Sequence, residues 1–133
     1  MSKQVLILCT GNSCRSIIAE ALINAELDGI SADSSGVKAS GRVNPNAKRV
    51  LEEAGIWEDR YHSKTIDTVL DNHYDLVVTV CNNAKETCPV FPQALKTLHI
   101  SFEDPDGKEY GAFEETLTEI RTTLLPEVKK RLS

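Results

Sequence analysis

From position 9 to position 16 the chain reads Cys-Thr-Gly-Asn-Ser-Cys-Arg-Ser, which sets thiols, a guanidinium and small hydroxyl residues around a glycine. Before it, Gln4-Val-Leu-Ile-Leu-Cys9 is an unbroken apolar run of strand length. After it, from Arg15 to Leu27, Ile18, Ala21, Leu22 and Ala25 recur at the spacing of a helix face. The stretch therefore turns a buried strand into the first turn of a helix. Backbone N–H groups of a glycine-containing loop in that setting converge on one point, and with the helix dipole they form a seat for a tetrahedral anion. The same field favours the ionised form of Cys9, whereas a free thiol titrates near roughly 8.5, so Cys9 is read as a nucleophile at neutral pH. Arg15 can grip two oxyanion oxygens side by side, keeps its charge, and stabilises charge that develops during reaction. Thr10, Gly11, Asn12, Ser13, Cys14 and Ser16 complete the anion-binding loop, with the Ser16 hydroxyl expected to donate to the Cys9 sulfur. A packed thiol at a strand end is the other reading of Cys9, but packing does not ask for Gly, Arg and Ser at these offsets. For Cys14 a packed or tuning role is preferred.

Two further segments bear on the chemistry. Cys81 closes the apolar run Tyr74 to Val80, and Cys88 follows it after Asn82 to Thr87, with Pro89 next. The four cysteines lack the close pairing of zinc sites and no histidine flanks them, so no metal is expected; packed core thiols are the stronger alternative. Phe102-Glu-Asp-Pro-Asp-Gly107 is an acidic loop that follows the last strand candidate. An acid on the same rim as Cys9 would protonate an oxygen as it leaves, an effect typically of about 10²–10⁴-fold. Asp104, Glu103 and Asp106 all compete for that task, and a solvated acidic turn is the plain alternative.

The elements that must position these groups alternate in type. Strands are expected at 4–9, 30–34, 74–80 and 95–100. Helices are expected at 15–27, closed by Gly29, from the Asn44-Pro45 cap to Gly55, at 63–70 with Ser63 as cap, and at 113–132 with a kink or break before Pro126. Such alternation implies a parallel sheet with helices on both faces and ligand sites at the carboxyl ends of its strands, where Cys9 and Cys81 fall. At 133 residues one domain is expected. The net charge of −5 and the lack of a basic block argue against nucleic acid, and no apolar run approaches the roughly 20 residues of a membrane span. No signal segment opens the chain, so a cytoplasmic location with reduced thiols is expected.

Cys9-Thr-Gly-Asn-Ser-Cys-Arg-Ser16, with Asp104-Pro105 downstream, resembles the low-molecular-weight tyrosine phosphatase superfamily over nearly the whole chain. Ser13-Cys14 within the loop is similar to the form found in its thioredoxin-coupled arsenate reductases. The resemblance implies a flavodoxin-like four-stranded parallel sheet, a Cys9 nucleophile, an Arg15 oxyanion clamp and an Asp104 general acid. Electrons separate the two branches: hydrolysing a phosphate ester needs none, whereas reducing arsenate needs two, which a pair of thiols supplies on becoming a disulfide. The resemblance therefore implies a relay without a cofactor: Cys9 attacks arsenic, Cys81 attacks Cys9 and releases arsenite, Cys88 attacks Cys81, and thioredoxin reduces the resulting bond. A helical segment between Cys81 and Cys88 would hold them about 10 Å apart along its axis. A disulfide allows only about 4.4–6.8 Å between Cα atoms, so pairing them requires that segment to unwind.

The alternatives are a phosphatase acting on aryl phosphates through a Cys9 phosphocysteine, and a non-enzymatic anion or phosphocysteine carrier, for which Arg15 and Asp104 would be superfluous. A phosphatase grips a phenol ring with aromatic walls, yet the chain has only three Phe, one Trp and three Tyr. None lies in Val37 to Arg42, Tyr110 is the nearest to the acid, and Trp57 is expected beside the second helix. Similar arsenate reductases bind potassium near the counterparts of Asn12 and Glu20. Here His62-Ser63-Lys64 offers a lysine that could salt-bridge Glu20 in the cation's place, so potassium independence is expected, with a solvent-facing Lys64 as the other reading. His62, His73 and His99 are read as packing or surface residues. A monomer is expected.

Overall fold

An unbroken apolar strand needs neighbours on both edges and cover on both faces, and β1 (Lys3–Cys9) has them. The computed structural model describes residues 3–9, 11–36, 38–80 and 96–132; Thr10, Cys81 and Cys88 lie outside the described residues. After β1 come α1 (Arg15–Glu26), β2 (Ile30–Gly36), α2 (Pro45–Glu53), a 3₁₀ turn (Ile66–Val69), β3 (Leu76–Thr79) and β4 (Thr97–His99). The chain continues with α3 (Tyr110–Glu119), a π-helical turn (Ile120–Leu124) and α4 (Leu125–Leu132). The four strands pair in parallel in the order β2-β1-β3-β4, so the chain steps from β1 to one side and then crosses to the other. In such sheets the crevice outside the carboxyl end of the first strand is where ligands bind, and Cys9 ends β1 there.

The two faces of the sheet are covered differently. Val5, Ile7 and Cys9 of β1, with Leu76 and Val78 of β3, pack against α1 through Ile18 and Leu22, against α2 through Leu51, and against Phe113, Ile120, Leu124 and Val128 of the carboxyl-terminal helices. On the opposite face Leu6, Leu8 and Val77 meet Ile66 and Val69 of the 3₁₀ turn together with Tyr74. From Val5 to Cys9 β1 is thus apolar at every position because both of its faces are interior there.

Local signals in the sequence account for most element ends. Asn44 caps α2, its Oδ1 accepting from Asn46 N at 2.8 Å and Ala47 N at 3.4 Å, with Pro45 in the first turn where its missing N–H costs nothing. Pro126 cannot donate to Thr122, and its ring would crowd that carbonyl. The helix absorbs the mismatch by widening to a π turn rather than breaking, so Ile120, Leu124 and Val128 stay on the buried face. Other boundaries differ from expectation. α1 stops at Leu27, which is extended, and Gly29, with φ of +76°, serves the turn into β2 instead of closing the helix. The expected helix from Ser63 is only the 3₁₀ turn. Residues before it are held extended by Gly36 N donating to the Lys64 carbonyl and by a bridge from Gly36 to Thr65, so Ser63 caps nothing. Among the described residues no helix is long and apolar enough to cross a membrane.

Phe113 is fully buried and joins α3 to the sheet. Phe113→Ala should lower the free energy of unfolding by about 3–5 kcal/mol with an unchanged urea m-value. A loss under about 1 kcal/mol would show that this packing does not hold the helix on the sheet.

Candidate active site

The loop between β1 and α1 is held by its side chains and carbonyls. Asn12 is fully buried with φ of +49°, a left-handed conformation that asparagine tolerates better than most residues. Its amide donates to Ser16 Oγ at 2.8 Å and Ser34 Oγ at 2.9 Å, and its Oδ1 accepts from Lys64 N at 2.8 Å. One side chain thereby joins the loop to α1, to β2 and to the strand-like segment before the 3₁₀ turn. The Gly11 carbonyl accepts from Ser40 N at 2.9 Å and Ser63 Oγ at 3.2 Å, and the Ser13 carbonyl accepts from Asn44 N at 2.9 Å. Among the described residues no backbone N–H from Gly11 to Ser16 donates to these anchors. With the carbonyls committed to the scaffold, those N–H groups are available to an anion at the start of α1.

Two thiols flank this seat. Cys9 ends β1 and is 3% exposed; Cys14 is the residue just before α1 and is 2% exposed. Burial pushes the Cys14 thiol up to about 12, more than the neighbouring Ser13 hydroxyl at 3.7 Å and the Arg15 charge offset, and Asp104 and Asp106 push it further. Cys14 therefore stays protonated at neutral pH, in keeping with its reading as a packed residue rather than a nucleophile.

Arg15 reaches from the loop to the segment after β4. Its Nη1 donates to the Phe102 carbonyl at 3.1 Å and its Nη2 lies 3.4 Å from Asp104 Oδ2, while Nε is buried and has no hydrogen-bond partner among the described residues. A buried guanidinium N–H without a partner is costly, and an oxyanion over the loop would satisfy it. The three acids of the loop have different partners. Glu103 pairs with Lys108, whose hydrogen bond holds the Glu103 carboxyl below the ordinary range. Asp106 accepts from Asn44 Nδ2 at 2.7 Å, and Asp104, half-exposed, stands on Arg15. The structure thus brings Asp104 to the guanidinium and engages the two competing acids elsewhere.

Beneath the loop, Ser34 Oγ donates to Glu20 Oε1 at 2.6 Å. Glu20 is 2% exposed, and burial raises its carboxyl from 4.5 to about 7 against the opposing effects of Ser34 and of the Lys64 charge. The direct salt bridge expected between Lys64 and Glu20 is not among the ion pairs of the described residues. Lys64 engages the network through its backbone N–H on Asn12 and acts on Glu20 only through space. Tyr110 is tied to α2, its hydroxyl on Glu53 and its ring under Arg49 at 4.2 Å, and Trp57 packs edge-on to Tyr61 near Lys48. His99 bridges Thr79 and Ser101, and His62 lies on the Arg60 carbonyl. The roles of Ser34 and Ser40 were not legible in the sequence because an isolated serine gives no signal of what it will meet, and Ser63 was legible only as a helix cap, which it is not. Asn44 was legible only as a helix cap.

Comparison with known proteins adds an independent finding. Residues 4–132 match the family model for low molecular weight phosphotyrosine protein phosphatase. The chain is 42% identical over 119 residues to an arsenate reductase of Brevibacillus brevis, covering 89% of this chain and 88% of that protein. It superposes on an arsenate reductase structure from Archaeoglobus fulgidus with a TM-score of 0.81 and 35% identity, covering 94% and 98% of the two chains. A low molecular weight protein tyrosine phosphatase from T. tengcongensis superposes with a TM-score of 0.80 and 26% identity over 97% and 99%.

The Glu20 carboxyl yields a pH prediction. Its folded value of about 7 lies above the ordinary 4.5, so the native state holds a proton there that the unfolded chain has lost. Its stabilising contribution is complete below about 4.5 and is lost as pH rises through about 7. The loss is on the order of 3 kcal/mol. Glu20→Gln should flatten this part of the stability profile in urea titrations from pH 4.5 to 8, and equal slopes in the two proteins would contradict the assignment.

Proposed function

The chain belongs to the low molecular weight phosphotyrosine protein phosphatase family, and from that premise we propose that it is a cytoplasmic, monomeric, single-domain arsenate reductase working by a three-cysteine relay. One observation carries the choice of branch. A chain 42% identical to an arsenate reductase unites the Cys9, Arg15 and Asp104 array with two further cysteines, Cys81 and Cys88, that ester hydrolysis does not need.

In the proposed reaction the loop from Thr10 to Ser16 seats arsenate, with Arg15 Nε and one terminal nitrogen on two of its oxygens. The Cys9 thiolate forms a bond to arsenic while Asp104 transfers a proton to a departing hydroxyl, which leaves as water. The Cys81 thiolate next attacks the Cys9 sulfur, and the sulfur–arsenic bonding pair stays on arsenic. As(V) becomes As(III) and leaves as arsenite, and the two electrons are balanced by a Cys9–Cys81 disulfide. Cys88 attacks Cys81, restoring Cys9 and leaving a Cys81–Cys88 disulfide that the dithiol of thioredoxin reduces. No cofactor enters. The partners are arsenate and thioredoxin, with no role for nucleic acid or membrane.

Aryl phosphate hydrolysis is the second reading, favoured by the array shared with phosphatases of the same fold. Cys9, Arg15 and Asp104 would suffice for it, so a weak side reaction is expected. The engagement of Tyr110 with Glu53 and Arg49 leaves that ring facing α2, which speaks against a phenol-gripping wall built from it.

Arsenite formation with thioredoxin, thioredoxin reductase and NADPH tests the proposal. Arg15→Lys should lose about 10²–10³-fold in kcat/KM, because a lysine cannot grip two oxygens at once. Asp104→Asn should lose about 10²-fold or more in kcat. Brisk Cys9-dependent hydrolysis of an aryl phosphate without arsenite from the same protein would establish the phosphatase reading instead.

A further inference from the structure

Asp104 is half-exposed, so packing alone does not hold it over the loop; polar contacts must do so. These contacts close a ring. Asn44 N donates to the Ser13 carbonyl at 2.9 Å, and Asn44 Nδ2 donates to Asp106 Oδ1 at 2.7 Å. Asp106 N then donates to Asp104 Oδ1 at 3.0 Å, and Asp104 Oδ2 lies 3.4 Å from Arg15 Nη2, two residues along the chain from Ser13. One asparagine therefore touches the anion loop with its backbone, the start of α2 with its side-chain oxygen, and the acid-bearing loop with its side-chain nitrogen. The cap needs only the oxygen. The nitrogen spans 62 positions of sequence to meet an exposed carboxylate, a contact worth little to folding. Its consequence is geometric, because it fixes where the Asp104 carboxyl stands relative to Cys9 and Arg15.

We infer that Asn44, acting through Asp106, is a positioning residue for the acid, and that the Asn44–Asp106 hydrogen bond sets the rate of proton delivery to the leaving oxygen. The inference rests on the reading of Asp104 as the acid. The Asn44 and Asp106 bonds run to the Ser13 carbonyl, to each other and to Asp104 rather than to the guanidinium that would grip the oxyanion, so the Asn44–Asp106 bond acts on turnover and not on substrate affinity. Misplacing a group that transfers a proton costs far more than the bond contributes to folding.

The substitutions are chosen to spare the cap. Asn44→Asp keeps an acceptor for the α2 N–H groups but sets two carboxylates face to face, and Asp106→Ala removes the acceptor without touching Asn44. Each should lower kcat for arsenate reduction about tenfold with KM and thermal midpoint nearly unchanged. The exchange Asn44→Asp with Asp106→Asn rebuilds one N–H···O bond with its direction reversed and should restore most of kcat. In an Asp104→Asn background, Asp106→Ala should cost nothing more, because the residue it positions is already gone. Wild-type kcat in both single variants, no recovery in the exchange, or a loss that multiplies with Asp104→Asn would overturn the inference. An Asp104→Asn protein as fast as wild type would overturn the acid and this inference together, and a wild type that forms no arsenite would overturn the arsenate reading on which both stand.

Discussion

A loop can present its N–H groups to an anion only if its carbonyls and side chains are anchored elsewhere, and in this chain Asn12 is the anchor on which the rest depends. Its backbone takes the left-handed turn that reverses the chain, and its amide satisfies α1, β2 and the segment before the 3₁₀ turn at once. Each of these is buried or partly buried, so loss of the amide would leave several polar groups unpaired together, which is costly in a low-dielectric interior. The sheet order serves this anchor. β2 delivers Ser34 and β1 delivers the loop side by side, because the two strands are register partners along their length.

Around that seat the fold sorts like residues into unlike roles through their surroundings. Two cysteines share one loop, and burial keeps Cys14 protonated while Cys9 ends a strand at the mouth of the sheet. Three acids share another loop, and their partners divide them: a lysine for Glu103, an asparagine for Asp106, the loop arginine for Asp104. Arg15 joins the two loops and, among the described residues, its buried Nε–H has no partner, so in the proposed reaction it both links Cys9 to Asp104 and donates to the substrate. The proposed reduction asks nothing more of this half of the site; its further thiols, Cys81 and Cys88, follow β3 in the sequence.

Much of this was legible in the sequence where a signal is local. The apolar run ending at Cys9, the helical spacing after Arg15, the Asn44-Pro45 cap and the disruption at Pro126 are all decided by a few neighbouring residues, and the structure follows each of them. The octet from Cys9 to Ser16 and Asp104-Pro105 were enough to indicate the family. What could not be read is set by distant partners. Asn44 and Asp106 meet only because α2 and the acid loop converge on the anion loop, and Ser63 binds Gly11 rather than capping a helix because an extended segment pairs with the end of β2. The expected Lys64–Glu20 pair failed for a similar reason: Ser34 already occupies the carboxylate, and Lys64 contributes its backbone instead.

The central claim is that the Cys9–arsenic bond is resolved by attack of Cys81 on the Cys9 sulfur, which leaves two electrons on arsenic, rather than by attack of water. The most direct measurement is a single anaerobic turnover of reduced Cys88→Ser protein with arsenate, followed by arsenite quantification and mapping of the disulfide by mass spectrometry. The account predicts one arsenite per chain and a trapped Cys9–Cys81 disulfide. Intact Cys9 and Cys81 thiols with no arsenite released would contradict it.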